Sequence, residues 1–193
     1  MMSVDLFKQA LKSLQLFLSL QAGTKQGVIC DLDTNQMFLC RLLGPGFQIQ
    51  ESFLFSRSQA PLCNLENSFG TPMGLHVICE KIGEEVPING ELIARKFTGQ
   101  VVPIAKSENE KGRITTRILR LKGLQWGINK GIDLKTHRFC DSYKRCIYIH
   151  GTNLENFIPK PLSKGCLLLK TQDLTYLFRK VNIGDFCLLL KRN

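Results

Sequence analysis

The chain has 193 residues, long enough for one well-buried domain and too short for two ordinary ones. Hydrophobic residues make up 44% and charged residues 22%, which excludes a disordered or fibrous protein. Twenty-six Lys and Arg against 16 Asp and Glu leave a formal charge of +10, an attraction to polyanions such as anionic lipid headgroups and cell-wall polymers. Nucleic acid is the lesser expectation. The basic residues are spread, with small groups at Lys144-Arg145, Arg179-Lys180 and Lys191-Arg192, and no aromatic-interleaved basic motif appears.

Residues 1–26 read as an appendage to a main domain at 27–193. Leu6, Phe7, Ala10, Leu11, Leu14, Phe17 and Leu18 follow a helical repeat, which predicts an amphipathic helix packed on the domain. Lys8 and Lys12 ahead of the apolar SLQLFLSLQAG also give the segment a faint likeness to an export signal. No apolar run reaches the roughly 18 residues that a membrane-spanning helix requires.

From Gly27 onward strand signals dominate. Val28 to Leu32, a turn at Asp33-Thr34-Asn35, and Met37 to Leu43 predict a hairpin, and Phe47 to Gln50 alternates as a further strand. Ser56 to Ser68 is polar and turn-rich, and it leads into Thr71-Pro72-Met73-Gly74 and a strand at Leu75 to Ile82. Gly83 to Lys111 reads as hairpins and a long surface excursion. Ile114 to Leu121 alternates, with Ile114, Thr116, Ile118 and Arg120 on one side and Thr115, Arg117, Leu119 and Leu121 on the other. Gly123, Gly127 and Gly131 punctuate the next region, and Ile132 to Lys144 reads as a mobile, cationic loop. Arg145 to His150 is a strand and Cys166 to Leu169 another apolar piece. A helix follows with Thr171 as its cap and Asp173 in its first turn. Leu174, Leu177, Phe178 and Val181 form its apolar stripe, and Gly184 stops it. Phe186 to Leu190 is a closing core strand.

Eight cysteines contain no C-x-x-C pair, and the three histidines, His76, His137 and His150, fall at no zinc-site spacing, so no metal is expected. Cys30, Cys79 and Cys187 lie in apolar runs and read as small buried hydrophobes. The informative stretch is Tyr148 to Lys170, where His150 and the Ser163-Lys164-Gly165-Cys166 turn flank one loop with two prolines. Gly165 clears the approach of a carbonyl to the Cys166 sulfur, and backbone N–H groups there face a developing oxyanion. A free thiol titrates near 8.5, so an imidazole such as His150, helped by the charge of Lys164, is needed to hold a thiolate. The plainer reading of either residue alone is a buried, inert cysteine and a satisfied structural histidine.

The pattern as a whole resembles the catalytic domain of the YkuD-type L,D-transpeptidases. Ile149-His150-Gly151-Thr152 resembles that family's IHGT strand, Ser163 to Cys166 its cysteine turn, and Thr71 to Gly74 its TPxG element, over about Gly27 to Leu190. The resemblance implies a mainly β fold, an antiparallel β-sandwich or barrel with a few short helices besides the N-terminal one. It implies Cys166 as nucleophile on a peptidoglycan tetrapeptide stem and His150 as general base and acid, oriented by the backbone carbonyl of Gly151. Gly165 would contribute to the oxyanion hole, and Ser163, Lys164, Thr152, Tyr148 and Arg117 would contact the substrate. A thioester would form and an amine of a second stem would resolve it into a 3–3 cross-link in the bacterial cell envelope, with no cofactor. The same site with water as acceptor would be an L,D-carboxypeptidase or a wall-protein-releasing amidase. A non-catalytic wall-binding module and a cytoplasmic thiol enzyme are the remaining alternatives. Two positions depart from the family: it usually carries histidine at Lys164 and arginine at Leu168, and Arg117, Arg120, Lys122 and Lys170 are the candidates to take the arginine's place.

Overall fold

The computed structural model describes residues 8, 10, 12, 14, 26–43 and 46–191. Its ten strands belong to one sheet. The expected meander is present as β1 (Gln26–Asp31), β2 (Gln36–Leu43) and β3 (Gly46–Leu54). The β1–β2 turn holds Asn35 at φ 55°, a left-handed conformation asparagine tolerates, and Asp31 Oδ1 accepts the N–H groups of Asp33 and Thr34. Next come β4 (Gly74–Ile82), the hairpin β5 (Gly90–Ile93) and β6 (Lys96–Val101), β7 (Ile114–Gly123), β8 (Tyr148–Thr152) and β9 (Leu167–Leu169). Helix α1 (Thr171–Lys180) and β10 (Phe186–Leu190) complete the order.

The sheet runs β3-β2-β1-β10-β4-β7, so the last strand in sequence is inserted between β1 and β4. At β7 it branches: β8 and then β9 continue the sheet, while β5 pairs Glu91 with Thr115 and carries β6. Pairing is antiparallel as expected except for β1 with β10 and β8 with β9. Parallel neighbours need a crossover, and between β8 and β9 that crossover is the loop 153–166. Beyond β3, Ser56 exchanges two hydrogen bonds with Leu168 of β9, each 2.9 Å, so the sheet closes on itself.

The closed sheet encloses the main core. Val28, Cys30, Met37, Leu39, Ile78, Leu119, Ile149, Leu167, Cys187 and Leu189 point inward, joined by Leu174, Leu177, Phe178 and Val181 of α1. Each such side chain contributes about 2 kcal/mol by leaving water. The outer face of β1, β2, β10 and β4 carries a second cluster, including Ile29, Phe38, Phe186 and Leu188, against which Ala10 and Leu14 are buried. Lys8, Ala10, Lys12 and Leu14 are helical, with both lysines exposed. The remainder of the predicted N-terminal helix lies outside the described residues.

Three local expectations change. The alternation of β7 breaks between Thr115 and Ile118, where Thr116 has φ 68° and the register with β8 shifts. A bulge therefore extrudes Thr116 and Arg117, and the Arg117 guanidinium bonds the carbonyls of Val86 and Thr116. Thr171 is the first residue of α1, not its cap. Its N–H donates to Glu155 Oε2 at 2.7 Å and its hydroxyl to Asn89, so a carboxylate from the β8–β9 loop satisfies the helix start. The cationic loop read as mobile is tied down: Ile132 bridges Phe139, and Glu66 N–H donates to the Phe139 carbonyl at 2.7 Å.

Candidate active site

Strands β8 and β9 bring the histidine and the cysteine to one wall. In their parallel register Ile149 faces Leu167 and His150 faces Leu168, which puts Cys166 level with Tyr148 at the entry to β9. Alternation then sends Ile149 and Leu167 into the core and leaves His150, Cys166 and Leu168 on the other face. That face opens into a cavity of about 610 Å³ lined by His150, Thr152, Ser163, Lys164, Cys166 and Leu168 and by the segment Glu108 to Ile114. A larger cavity, about 800 Å³, lies along α1 beside Asn89, Glu155, Tyr176 and Arg179. It contains neither a thiol nor an imidazole, so the smaller cavity is the candidate.

His150 is 6% exposed, and its Nδ1 lies 2.8 Å from the Gly151 carbonyl. A carbonyl only accepts, so Nδ1 carries the proton and Nε2 keeps its lone pair. Gly151 is obligatory there, since a Cβ would sit 2.7 Å from the Thr115 carbonyl across the ladder. Burial lowers His150 to about 4 against the opposing carbonyl hydrogen bond.

The Cys166 turn is held by its own serine. Ser163 Oγ donates to the Cys166 carbonyl at 2.6 Å and accepts the Gly165 N–H at 3.2 Å. The hydroxyl expected to contact substrate is thus spent on the turn, as is the Gly165 N–H. Gly165 has φ 125°, and a Cβ would meet Ile147 at 3.2 Å and the Gly70 carbonyl at 3.3 Å, so the turn accepts no side chain. The thiol is partly exposed and its Sγ lies 3.5 Å from the Cys146 carbonyl. Burial pushes it up to about 11, opposed by the Tyr148 N–H and the charge of Arg145. Both shifts favour a neutral thiol beside a neutral imidazole over the thiolate expected from sequence. Lys164, expected to supply the charge, extends its side chain into solvent at the cavity rim.

Arg145 is the cation beside the sulfur, and sequence reasoning missed it. Its guanidinium donates to the carbonyls of Cys63 (3.0 Å), Asn64 (2.8 Å) and Gly70 (2.6 Å) and to Ser68 Oγ (3.3 Å). It thereby ties the loop before Thr71 to the cysteine turn. The Lys144-Arg145 pair one turn before β8 was the available signal. Thr71 exchanges hydrogen bonds with Ser58, its N–H to Ser58 Oγ at 2.9 Å and Ser58 N–H to Thr71 Oγ1 at 3.0 Å. The TPMG segment is thus scaffolding under the turn.

The other predicted contacts separate. Thr152 lines the cavity, its Oγ1 accepting the Leu154 N–H at 3.1 Å. Tyr148 is buried beside Ile118, Leu92 and Val86, its hydroxyl accepting from Arg95 at 3.3 Å. Arg117 is carried away by the β7 bulge to the Phe178 ring, 5.6 Å from its centroid. Of the substitutes for a charge at Leu168, Arg120 pairs with Glu80 at 2.9 Å and stacks on Tyr143. None of Arg117, Arg120, Lys122 and Lys170 lines the cavity; Lys111, Arg113 and Lys164 do, with Arg113 paired to Glu91.

The family model described as the L,D-transpeptidase catalytic domain, YkuD, matches residues 48–188. The chain belongs to that family. No curated protein sequence matches it. Among solved structures it is similar to Bdellovibrio bacteriovorus Bd1075, at 10% identity and a TM-score of 0.53 over 86% of this chain and 48% of that one. It is also similar to the helical cell shape determining protein Pgp2 of Campylobacter jejuni, at 12% identity and 0.51 over 93% and 55%. An L,D-transpeptidase from Mycobacterium smegmatis aligns at 13% identity and 0.47 over 87% and 59%. The first two likenesses are of fold, and the chain spans about half the length of each of those proteins. The mainly β architecture implied by the sequence motifs is the architecture of this L,D-transpeptidase-family domain.

Proposed function

We propose that this L,D-transpeptidase-family chain cross-links peptidoglycan stem peptides in the bacterial cell envelope through a thioester on Cys166. The observation that supports this most directly is the shared cavity wall of His150 and Cys166, with Nδ1 of His150 fixed on the Gly151 carbonyl and Nε2 left as acceptor.

The thiol attacks the carbonyl carbon preceding the terminal D-alanine while His150 Nε2 takes its proton. Beginning from neutral groups, the proton moves in the attacking step, and the imidazolium formed then protonates the departing amine. The Cys166 N–H faces the tetrahedral oxyanion; a donor of this kind supplies about 3 kcal/mol. The Gly165 N–H stays with Ser163. An amine of a second stem gives a proton to His150, attacks the thioester and releases the thiol. Lys111 and Lys164 at the rim receive stem carboxylates in the role that Leu168 cannot fill, and Leu168 floors the site.

Purified tetrapeptide muropeptides incubated with the protein, and with Cys166→Ala and His150→Ala, are read by mass spectrometry. Dimers with a 3–3 linkage, lost in both variants, are expected. Tripeptides without dimers would redirect the reading to hydrolysis, and an unchanged mixture would end it for this substrate.

A further inference from the structure

The excursion between β7 and β8, residues 124–147, carries a surface that the reaction does not use. Trp126 is 67% exposed and Leu134 73%, with Ile128 at 46% and Phe139 at 47%. None of the four lines the His150–Cys166 cavity. They are held together: a Cβ on Gly131 would lie 2.9 Å from the Trp126 indole, a Cβ on Gly127 would lie 3.5 Å from Leu134, and Ile132 bridges Phe139. The platform is pre-ordered by Gly127 N–H to the Lys130 carbonyl (2.9 Å), Asp133 N–H to Arg138 (2.9 Å) and Cys140 N–H to Gly131 (3.0 Å).

Cations rim it. Lys130, Lys135, Arg138 and Lys144 belong to the same segment, and none of them enters an ion pair among the described residues. Its two carboxylates are engaged by backbone N–H groups of the same segment, Asp133 accepting those of Lys135 and Thr136 and Asp141 those of Tyr143 and Lys144. Exposed Leu and Ile offer a polar glycan no hydrogen bonds, whereas aliphatic and indole side chains ringed by lysine match the acyl and headgroup layers of a bilayer. The surface therefore fits a membrane better than a sugar polymer.

We propose that this excursion docks the domain peripherally on a bilayer rich in anionic lipid, with Trp126 and Leu134 at the acyl boundary and the four cations among the headgroups. The proposal is independent of the transpeptidase reading, because docking needs no turnover.

Trp126 is the only tryptophan in the chain, so its emission reports on the surface directly. Vesicles of phosphatidylglycerol with phosphatidylcholine should shift the emission to shorter wavelength and co-sediment the protein, while pure phosphatidylcholine should do neither. Leu134→Asp and the double change Lys130→Gln with Lys135→Gln should each weaken vesicle binding about tenfold or more, with circular dichroism verifying the fold. An unmoved emission at low salt overturns the proposal. So does unchanged vesicle binding by Leu134→Asp, a lipid-free shift that grows with protein concentration and marks self-association, or sedimentation with purified sacculi but not vesicles.

Discussion

His76 on β4 and His150 on β8 are both buried, and both hold Nδ1 on a backbone carbonyl, 2.9 Å to Gly74 and 2.8 Å to Gly151. In both, burial lowers the imidazole to about 4. They part at the other nitrogen. Ser142 Oγ lies 2.9 Å from Nε2 of His76, whereas no protein group among the described residues bonds Nε2 of His150, which faces the cavity. A histidine is therefore marked as a candidate base less by its titration than by one nitrogen left unsatisfied toward open space. Burial alone would have picked both.

Substitution separates the two most sharply. His150→Gln should lower 3–3 dimer formation by about 10²- to 10⁴-fold with the thermal midpoint nearly unchanged, because only the Gly151 contact is altered. Equal activity in this variant would remove His150 from the reaction. His76→Leu should do the converse, costing about 1–3 kcal/mol by orphaning Ser142 and the Gly74 carbonyl while the folded fraction keeps its turnover. A drop in turnover per folded molecule would show that the pairing of the histidines had been drawn wrongly.

Arg145 lies between these extremes, since it is both scaffold and charge. Arg145→Gln strands the carbonyls of Cys63, Asn64 and Gly70 and should destabilise by about 3 kcal/mol. It should also move the pH dependence of Cys166 alkylation upward, because the guanidinium opposes the burial that raises the thiol. A variant that loses stability with an unmoved alkylation profile would leave Arg145 as scaffold alone.

Both histidines also set a pH response. Each is lowered from 6.5 to about 4 on folding, so between those values the unfolded chain binds protons the native state refuses. Stability should be full above pH 6.5, fall as pH drops toward 4, and level off below. Thermal melts across pH 3–8 test this, and the slope should shrink in His76→Leu. The smallest effect on turnover is expected at Arg117: Arg117→Ala should change turnover less than about twofold while costing about 1–2 kcal/mol of stability, since it loses the Phe178 contact and the bonds to the Val86 and Thr116 carbonyls. A larger loss of turnover would return Arg117 to the site.

Much of this was legible in the chain. Periodicity and turn residues located β1, β2, β4, β10 and the apolar face of α1, because those features are local and repeat at 2 or 3.6 residues, whereas the strand expected at Arg145 to His150 begins only at Tyr148, after a turn through Cys146. The motifs around His150 and Cys166 pointed to one site, since the short loop joining them leaves little freedom in how β8 and β9 meet. The sequence could not reveal that Ser163 turns back on its own loop, that Glu155 caps α1, that a bulge withdraws Arg117, or that Arg145 reaches across more than seventy residues to Gly70. Each depends on which backbone groups are left unpaired once the sheet has closed, and that is a property of the assembled fold. The electrostatics of the pair arise there too: residue types named a thiol and an imidazole, but only burial in the fold favours the neutral form of each.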